Sequence, residues 1–469
     1  MDDFNIEFDT EQESEPISIS SSMIVGFDDF SEHAAAQEFV ARNILFYRWT
    51  AGKGWVFNSG EIWVRDQCLK HEAAIQVICT EMASNLEGAQ ARNTRSAKFI
   101  KGVASIARAH PRIAMPDDEF DSDPDRLNTP DGVISLPHFT MKKRRPEDYF
   151  TQCTSVSPSS ESPKLFLKTI GQIFKDDENV IEFIQRFFGY CATGQTDEQV
   201  IVFFHGDGSN GKSLLLDLIN DLLGTYAIKL PISALMHKKY EGHPTEIAML
   251  FGARLAVSSE PPRTAKWDEA RVKEMTGDKR LTARFMRGDF FQFTASHKHL
   301  IAANYPPQLN GSDPANARRM IVVPFKATFH HENRDNSLPK KLQTEAPQIL
   351  GWILEGARKW YAEGLNVPQP ILEASLDYMR SMDDLGLWLE DCCDVSFDFN
   401  ESAKNLFTSF CDWRKFQNEP PMSQKLFGAE MSTKGFKRRK TGGIYKYIGL
   451  KLKTLGAGTV SDISQFFKG

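Results

Sequence analysis

Residues Gly206–Ser213 read G-D-G-S-N-G-K-S, directly after the apolar run Val200–Phe204. The stretch fits the phosphate-binding loop pattern G-x-x-x-x-G-K-[ST], and its surroundings fit as well. The apolar run suits a buried parallel strand. Beyond the loop, Leu214, Leu215, Leu218, Ile219 and Leu222 recur at helical spacing. A triphosphate is a concentrated negative charge. Gly206, Gly208 and Gly211 let the backbone N–H groups around Ser209, Asn210 and Leu214 turn towards it, at the positive end of a helix. Lys212 has the reach to meet the β- and γ-phosphates, and the Ser213 hydroxyl suits Mg²⁺. The expected ligands are therefore a nucleoside triphosphate and Mg²⁺.

Outward from the loop, the chain of 469 residues is too long for one ordinary core, and several domains are expected. Hydrophobic content of 41% and charged content of 25% are those of a globular protein. No apolar run of membrane-spanning length occurs, the acidic N-terminus has no signal core, and the seven cysteines lack metal-ligand spacing. A reducing, cytoplasmic setting is expected. The net charge of −6 hides an asymmetry: residues 1–32 hold ten acids and no Lys or Arg, while 434–453 hold eight Lys or Arg and no acid.

The organisation expected is an α/β core with a parallel central sheet, preceded by a mixed α+β domain. Residues 1–33 read as an acidic, disordered tail, and 34–153 as the α+β domain with a hairpin around Asn58-Ser59-Gly60. Residues 154–195 read as a Ser/Pro-rich linker and a pair of helices. The nucleotide domain spans 196–365, with strands at Val200–Phe204, Arg254–Ser258, His299–Ala303 and Met320–Val323 and a hairpin within 281–298. A helical connector fills 366–382. Residues 383–469 form a C-terminal unit with a basic, β-like segment.

Four further stretches narrow the chemistry. Leu255–Glu260 is an apolar strand ending in an acid, so Glu260 is placed to polarise a water or help hold Mg²⁺. Leu300–Asn304 ends in an amide suited to orienting a lytic water. Arg318 and Arg319 precede the apolar run Met320–Phe325, and an arginine can meet the charge that develops in phosphoryl transfer. Residues 273–298 interleave Arg284, Arg287 and Lys298 with phenylalanines, a composition suited to a single-stranded nucleic-acid backbone. The aromatics are expected to be mostly core.

Together these residues resemble a superfamily 3 helicase, above all the C-terminal helicase half of the phage and plasmid primases, related to the poxvirus primase-helicase. The resemblance runs from about residue 34 to 453. G-D-G-S-N-G-K-S looks like the family's loop, R-L-A-V-S-S-E its second motif, and K-E-M-T-G-D-K-R-L-T-A-R-F-M-R-G-D-F-F-Q-F its B-prime segment. L-I-A-A-N-Y-P-P is similar to the sensor motif and A-R-R-M-I-V-V-P-F to the arginine motif. The resemblance implies an AAA+-like, hexameric ring with a helical collar, moving 3′→5′ on single-stranded or forked DNA. ATP would lie between subunits, facing Lys212 and Ser213 of one and Arg318 or Arg319 of the next. The hairpin around Arg287 would enter the channel. The C-terminal unit would be a winged helix whose Lys437, Arg438, Arg439 and Lys440 meet DNA.

Two departures stand out. Ser259, rather than a second acid, precedes Glu260, so Asp268 is a candidate helper. T-G-D-K replaces the usual T-G-G-D of the B-prime segment. Primer synthesis needs its own cluster of metal-binding acids, and helicase activity without it is expected, with a primase, polymerase or other replication protein as partner. An origin-melting initiator, a DNA-binding scaffold with a weak ATPase, and an RNA role are the competing readings.

Overall fold

The computed structural model describes residues 7–8, 29–237, 245–259, 261, 266–286, 290–304, 318–330, 335–381, 383–417 and 421–453. The expected disordered tail at 1–33 therefore lies mostly outside the described residues, and its end is corrected: Ser31 caps a helix that begins at Glu32. The chain divides into two compact units, with a break between Ala374 and Ser375.

The first unit opens with β1 (Glu7–Phe8) and α1 (Glu32–Asn43), which Ser31 caps by accepting from the Ala34 N–H. An antiparallel meander follows: β2 (Tyr47–Thr50), β3 (Gly54–Asn58) and β4 (Trp63–Arg65). Its second turn is the expected hairpin at Asn58-Ser59-Gly60. Helices α2 (Lys70–Ser84), α3 (Gly88–Thr94) and α4 (Ala97–Ala107) come next, and α1, α2 and α4 bury Phe39, Ile75, Ile78, Met82, Phe99 and Val103 in a core of their own. Strands β5 (Arg126–Thr129), β6 (Gly132–Ser135) and β7 (Thr140–Lys142) form a second small sheet, which β1 joins in parallel. Its Leu127, Ile134, Leu136 and Met141 belong to the large core that also holds the central sheet.

The Ser/Pro-rich stretch after β7 is pinned. The Ser155 N–H donates to the Leu222 carbonyl (3.1 Å) and the Ser159 N–H to that of Pro347 (2.9 Å). Helices α5 (Lys164–Phe174) and α6 (Glu178–Ala192) bury Phe166, Ile170, Ile173, Phe174, Ile184, Phe187 and Phe188, at the helical spacing these residues have in the sequence, while Ile181 of the same pattern is half-buried and Phe183 is buried in addition. Helix α6 lies against the helix Ala346–Glu363. A Cβ on Gly189 would fall 2.0 Å from the Ala357 nitrogen, and one on Gly356 1.9 Å from the Gln185 carbonyl, so the two backbones meet only because both residues are glycine.

The central sheet is all parallel. Its strands are β8 (Ile201–His205), β9 (Ala227–Lys229), β10 (Leu255–Ser259), β13 (Lys298–Ala303) and β14 (Met320–Pro324), in the spatial order β14-β8-β13-β10-β9. Between them lie α7 (Lys212–Leu222), α8 (Thr245–Ala248), α9 (Glu269–Gly277), and the antiparallel pair β11 (Arg280–Arg284) and β12 (Phe290–Thr294). The four sheet strands expected from sequence are all present, each within one residue at either end. The short edge strand β9 is an addition. Strands with both faces covered read as continuous apolar runs, which is why they were legible.

Lys298 corrects an expectation. It is 3% exposed, and its ammonium donates to the backbone carbonyls of Thr193, Gln195 and Ser296. Burial drives its pKa well below that of a free lysine. The side chain works with Arg254, whose guanidinium takes the carbonyls of Ala192 and Arg126. The two side chains thus satisfy the carbonyls of Ala192, Thr193 and Gln195 at and just beyond the C-terminal end of α6. Lys298 is a helix anchor, not part of a DNA-facing surface.

His299 and His297 lie beside it, both buried, with rings 4.9 Å apart. Burial lowers the pKa of His299 from 6.5 to about 4 and lowers that of His297 as well. The unfolded chain therefore binds protons that the folded chain refuses. Stability from His299 is complete above pH 6.5 and is lost as pH falls towards 4, by about 3 kcal/mol in all. Urea midpoints at pH 7 and pH 5 test this. His299→Leu is expected to shrink the difference between them, and an unchanged difference would overturn the assignment.

Among its described residues the second unit holds three whole helices, Asp384–Cys392, Ala403–Phe416 and Gln424–Thr433, the C-terminal part of the helix Gln369–Ser381, and an antiparallel sheet. The sheet runs β15 (Cys393–Ser402), β17 (Ile444–Leu452), β16 (Arg438–Thr441), and its register shifts between Val395 and Asn400. Trp388, Phe410, Trp413, Phe427 and Tyr447 fill its core.

No helix among the described residues is long and apolar enough to cross a membrane. All seven cysteines are free thiols.

Candidate nucleotide site and nucleic-acid surfaces

The loop leaves the buried strand β8 and enters α7, and packing dictates its glycines. A Cβ on Gly206 would lie 2.6 Å from the Phe325 carbonyl oxygen and 2.4 Å from Asn210 Nδ2. One on Gly211 would lie 2.7 Å from Ile173 Cδ1, at φ +92°. The Phe325 N–H donates to the His205 carbonyl (2.7 Å) and the Phe329 N–H to that of Ser209 (2.8 Å), so the chain after β14 braces the loop.

Lys212 is 5% exposed and sits inside this turn. Its ammonium donates to the Gly206 carbonyl (2.5 Å), to Asn210 Oδ1 (3.0 Å) and to Asn304 Oδ1 (3.0 Å). Asn304 directly follows β13, the strand beside β8, and the pairing of Ala303 with His205 delivers this amide to the lysine. His205, at the tip of β8, is held below the usual histidine pKa by burial, with the Lys212 charge adding to the effect. A neutral ring is expected there near pH 7.

These groups open on a cleft of about 1010 Å³, lined by Gly208, Ser209, Asn210, Gly211, Lys212, Ser213 and Leu214 and by Ser259 and Asn304. Ser213 is exposed at the first turn of α7. The residues fit a nucleotide triphosphate: a lysine, a hydroxyl and a helix N-terminus converge on one cavity. They also fit Mg²⁺, which takes few protein ligands beside substrate oxygens. Glu260 lies outside the described residues, and Ser259 before it faces the cleft. Asp268, the candidate helper, accepts from the Arg271 N–H (3.0 Å) as the N-cap of α9.

The two arginines stand at the other end of the sheet. The Ile201 N–H donates to the Arg319 carbonyl, at the start of β8, whereas the loop follows its last residue. Five strand residues separate those levels by about 13 Å. Arg319 Nη1 reaches the Gln199 carbonyl (3.3 Å) and Thr276 Oγ1 (3.0 Å), while Arg318 is exposed. Neither is gathered to Lys212 within this chain.

In the β11–β12 pair, Phe293 is buried, and Phe285 stacks on Phe291 at 5.1 Å. Phe290 departs from the expected core role. It is 63% exposed, with the Arg284 guanidinium 4.9 Å above its ring. Arg287 lies outside the described residues. In the second unit Lys437, Arg438, Arg439 and Lys440 are all exposed, and Arg438 lies 4.7 Å over the Tyr445 ring. Sequence reasoning missed the far walls of the cleft, where Gln172 of α5 and Gln343 of the helix Leu338–Thr344 line the same cavity. Only folding brings those segments to α7.

Comparisons with known proteins agree with this architecture. Residues 36–175 match a family described as D5 N terminal like, and residues 204–319 match a family of unknown function, DUF5906. The chain is similar to viral proteins described as putative helicases and putative primases.

Among individual relatives, a putative helicase of Acanthamoeba polyphaga mimivirus is 24% identical over 275 residues, covering 54% of this chain and 29% of that protein. A putative helicase of Invertebrate iridescent virus 3 is 24% identical over 334 residues, covering 63% and 35%. A putative primase of African swine fever virus is 27% identical over 265 residues, covering 54% and 27%. The matches thus span about a third or less of these relatives' own length. The apo structure of the NrS-1 C terminal region shares the fold, with a TM-score of 0.50 at 11% identity, covering 90% of this chain and all of that one. The likeness to this structure supports the mixed α/β fold with a parallel sheet.

Proposed function

We propose that this chain is an ATP-dependent DNA helicase that forms a hexameric ring and moves 3′→5′ on single-stranded DNA during replication of a phage, prophage or plasmid. The observation that carries the reading is Lys212, buried in a glycine loop with Asn304 of the neighbouring strand on its ammonium. When bound with Mg²⁺, ATP supplies the cleavable phosphoanhydride. Lys212 and the loop N–H groups hold the phosphates, Ser213 and Glu260 hold Mg²⁺, and Asn304 orients water. Arg318 of an adjoining subunit completes the site, since within one chain neither arginine lies at the loop. In this reading α5 and α6 are the collar, residues 34–153 precede the ATPase, and 383–469 form a winged helix. Primer synthesis is assigned to a separate partner activity.

Strand displacement on forked and single-tailed duplexes, with ATP and Mg²⁺, tests the reading. Displacement by wild type and not by Lys212→Ala supports it, and the productive tail reports polarity. ATP hydrolysis stimulated by DNA without displacement would shift the assignment to an origin-melting initiator, which the fully exposed basic strand β16 also suits. Within the helicase reading, Arg287→Ala is expected to cut displacement about tenfold while leaving basal hydrolysis within about twofold, as loss of one strand contact should. Equal loss of both would place Arg287 in the fold or at the ATP site.

A further inference from the structure

An arginine that meets a developing charge works only when its backbone is held in place. Arg318 itself is exposed. The next residue, Arg319, is fastened. Its carbonyl accepts from the Ile201 N–H (2.7 Å), and its Nη1 donates to the Gln199 carbonyl (3.3 Å) and to Thr276 Oγ1 (3.0 Å). Two of these contacts are made with the chain entering β8. The third reaches further: Thr276 stands in the last turn of α9, which runs directly into the β11–β12 pair.

That turn is itself fixed. Thr276 has one O–H, which donates to the Val272 carbonyl (2.7 Å), so the lone pairs of Oγ1 are left to accept from Arg319. The His297 ring donates its Nε2–H to the Met275 carbonyl (3.1 Å), and the Ala295 N–H donates to the Lys279 carbonyl (2.9 Å). The segment leaving β12 is thereby tied to the end of α9. Residue 277 is glycine, and a Cβ there would lie 3.3 Å from Arg319 Nη2, so the guanidinium packs on the backbone of the turn.

We propose that the last turn of α9 is the seat of the arginine segment, and that Thr276 is a positioning residue for Arg318 at the neighbouring subunit's ATP site. The inference rests on the reading of that site as shared between subunits. Thr276 is not among the described residues that line the nucleotide cleft. It acts through Arg319, which fixes the start of β14 and with it the residue before. Valine fills the space of threonine without an acceptor, so Thr276→Val releases the guanidinium without opening a cavity.

The test finds the side of an interface on which the lesion falls. Thr276→Val is expected to lower kcat for ATP about tenfold, with the affinity for a nucleotide analogue within about twofold of wild type. Thr276→Ser keeps the hydroxyl and should stay within about twofold in both. Thermal unfolding checks that the variants are folded. Lys212→Ala subunits keep Thr276 and Arg318. Mixed with them in equal amounts, Thr276→Val should recover to about a quarter of wild type, against about a twentieth from dilution alone. Mixed with Arg318→Ala it should not recover. The opposite pattern would place Thr276 on its own subunit's site and overturn the inference. So would Thr276→Val within about twofold of wild type, or an equal loss in Thr276→Ser. Gly277→Ala pushes the same guanidinium from another atom and decides the matter should Thr276→Val fail to fold: about a threefold loss is expected, with the same pattern of recovery. Lys212→Ala mixed with Arg318→Ala is the control. No recovery there would remove the shared site itself, whereas recovery there and in neither Thr276→Val mixture would remove only the role of Thr276.

Discussion

Lys212→Ala is expected to lower ATP hydrolysis at least about a thousandfold, the scale seen when a charge aimed at a transferring phosphoryl group is removed. Two effects of different size follow from the geometry. The ammonium is the cation at the centre of the loop, so its loss removes both the attraction that draws phosphates in and the stabilisation of charge on the departing oxygen. Its loss also strands acceptors, since the Gly206 carbonyl, Asn210 Oδ1 and Asn304 Oδ1 all take hydrogen bonds from it. Asn210 is buried, and an unsatisfied buried acceptor costs about 1–3 kcal/mol. The variant should therefore melt somewhat earlier, yet remain folded at the assay temperature. Lys212→Arg separates the two effects: it keeps the charge but carries a planar fork that cannot reproduce a point donor to three converging oxygens. It should remain strongly impaired. Hydrolysis by Lys212→Ala within about tenfold of wild type, measured by phosphate release, would remove the loop from the chemistry.

Much of the central sheet was legible because its strands are continuous apolar runs ending in diagnostic residues. Val200–Phe204, Leu255–Ser259 and Leu300–Ala303 announce themselves by local composition, and the parallel order then brings Asn304 to Lys212. What escaped depends on distant segments. Lys298 looks like a basic residue in an aromatic-rich stretch, and only the fold shows the α6 carbonyls that capture it. Phe290 looks like one core phenylalanine among several. Its exposure follows from the two-residue alternation of β12, in which Phe291 and Phe293 face Phe251 and Phe290 faces away. The cleft walls at Leu165 and Leu338 are 173 residues apart, and no local pattern pairs them. The Ser/Pro-rich stretch at 154–163 has a linker's composition but is tied by backbone hydrogen bonds to Leu222 and Pro347, and composition says nothing about such bonds.

Arg318→Ala is expected to lower hydrolysis by about a thousandfold or more, while Arg319→Ala acts chiefly on folding. The asymmetry follows from their surroundings. Arg319 is engaged by the Gln199 carbonyl and Thr276, and Gly277 packs within 3.3 Å of its guanidinium once a Cβ is imagined there. Freeing that side chain to reach a phosphate would cost those contacts. Arg318 is exposed and precedes β14, at the end of the sheet away from its own loop, so in the proposed ring the site it serves belongs to another subunit. That arrangement makes a mixing prediction. Subunits carrying Arg318→Ala have an intact loop, and subunits carrying Lys212→Ala have an intact arginine. Assembled together, they form some interfaces with Lys212 on one side and Arg318 on the other. Hydrolysis should therefore reappear on mixing, rising to about a quarter of wild type at equal proportions if assembly is random and interfaces act independently. Each variant alone should stay inactive at the same total concentration. No recovery at any ratio, with co-assembly verified by size-exclusion light scattering, would place the arginine's partner within its own chain and remove the shared site. Recovery with Arg319→Ala in place of Arg318→Ala would exchange their roles. Binding of a nucleotide analogue should persist in Arg318→Ala and fall in Lys212→Ala, because the arginine meets charge that develops only as the phosphoryl group departs.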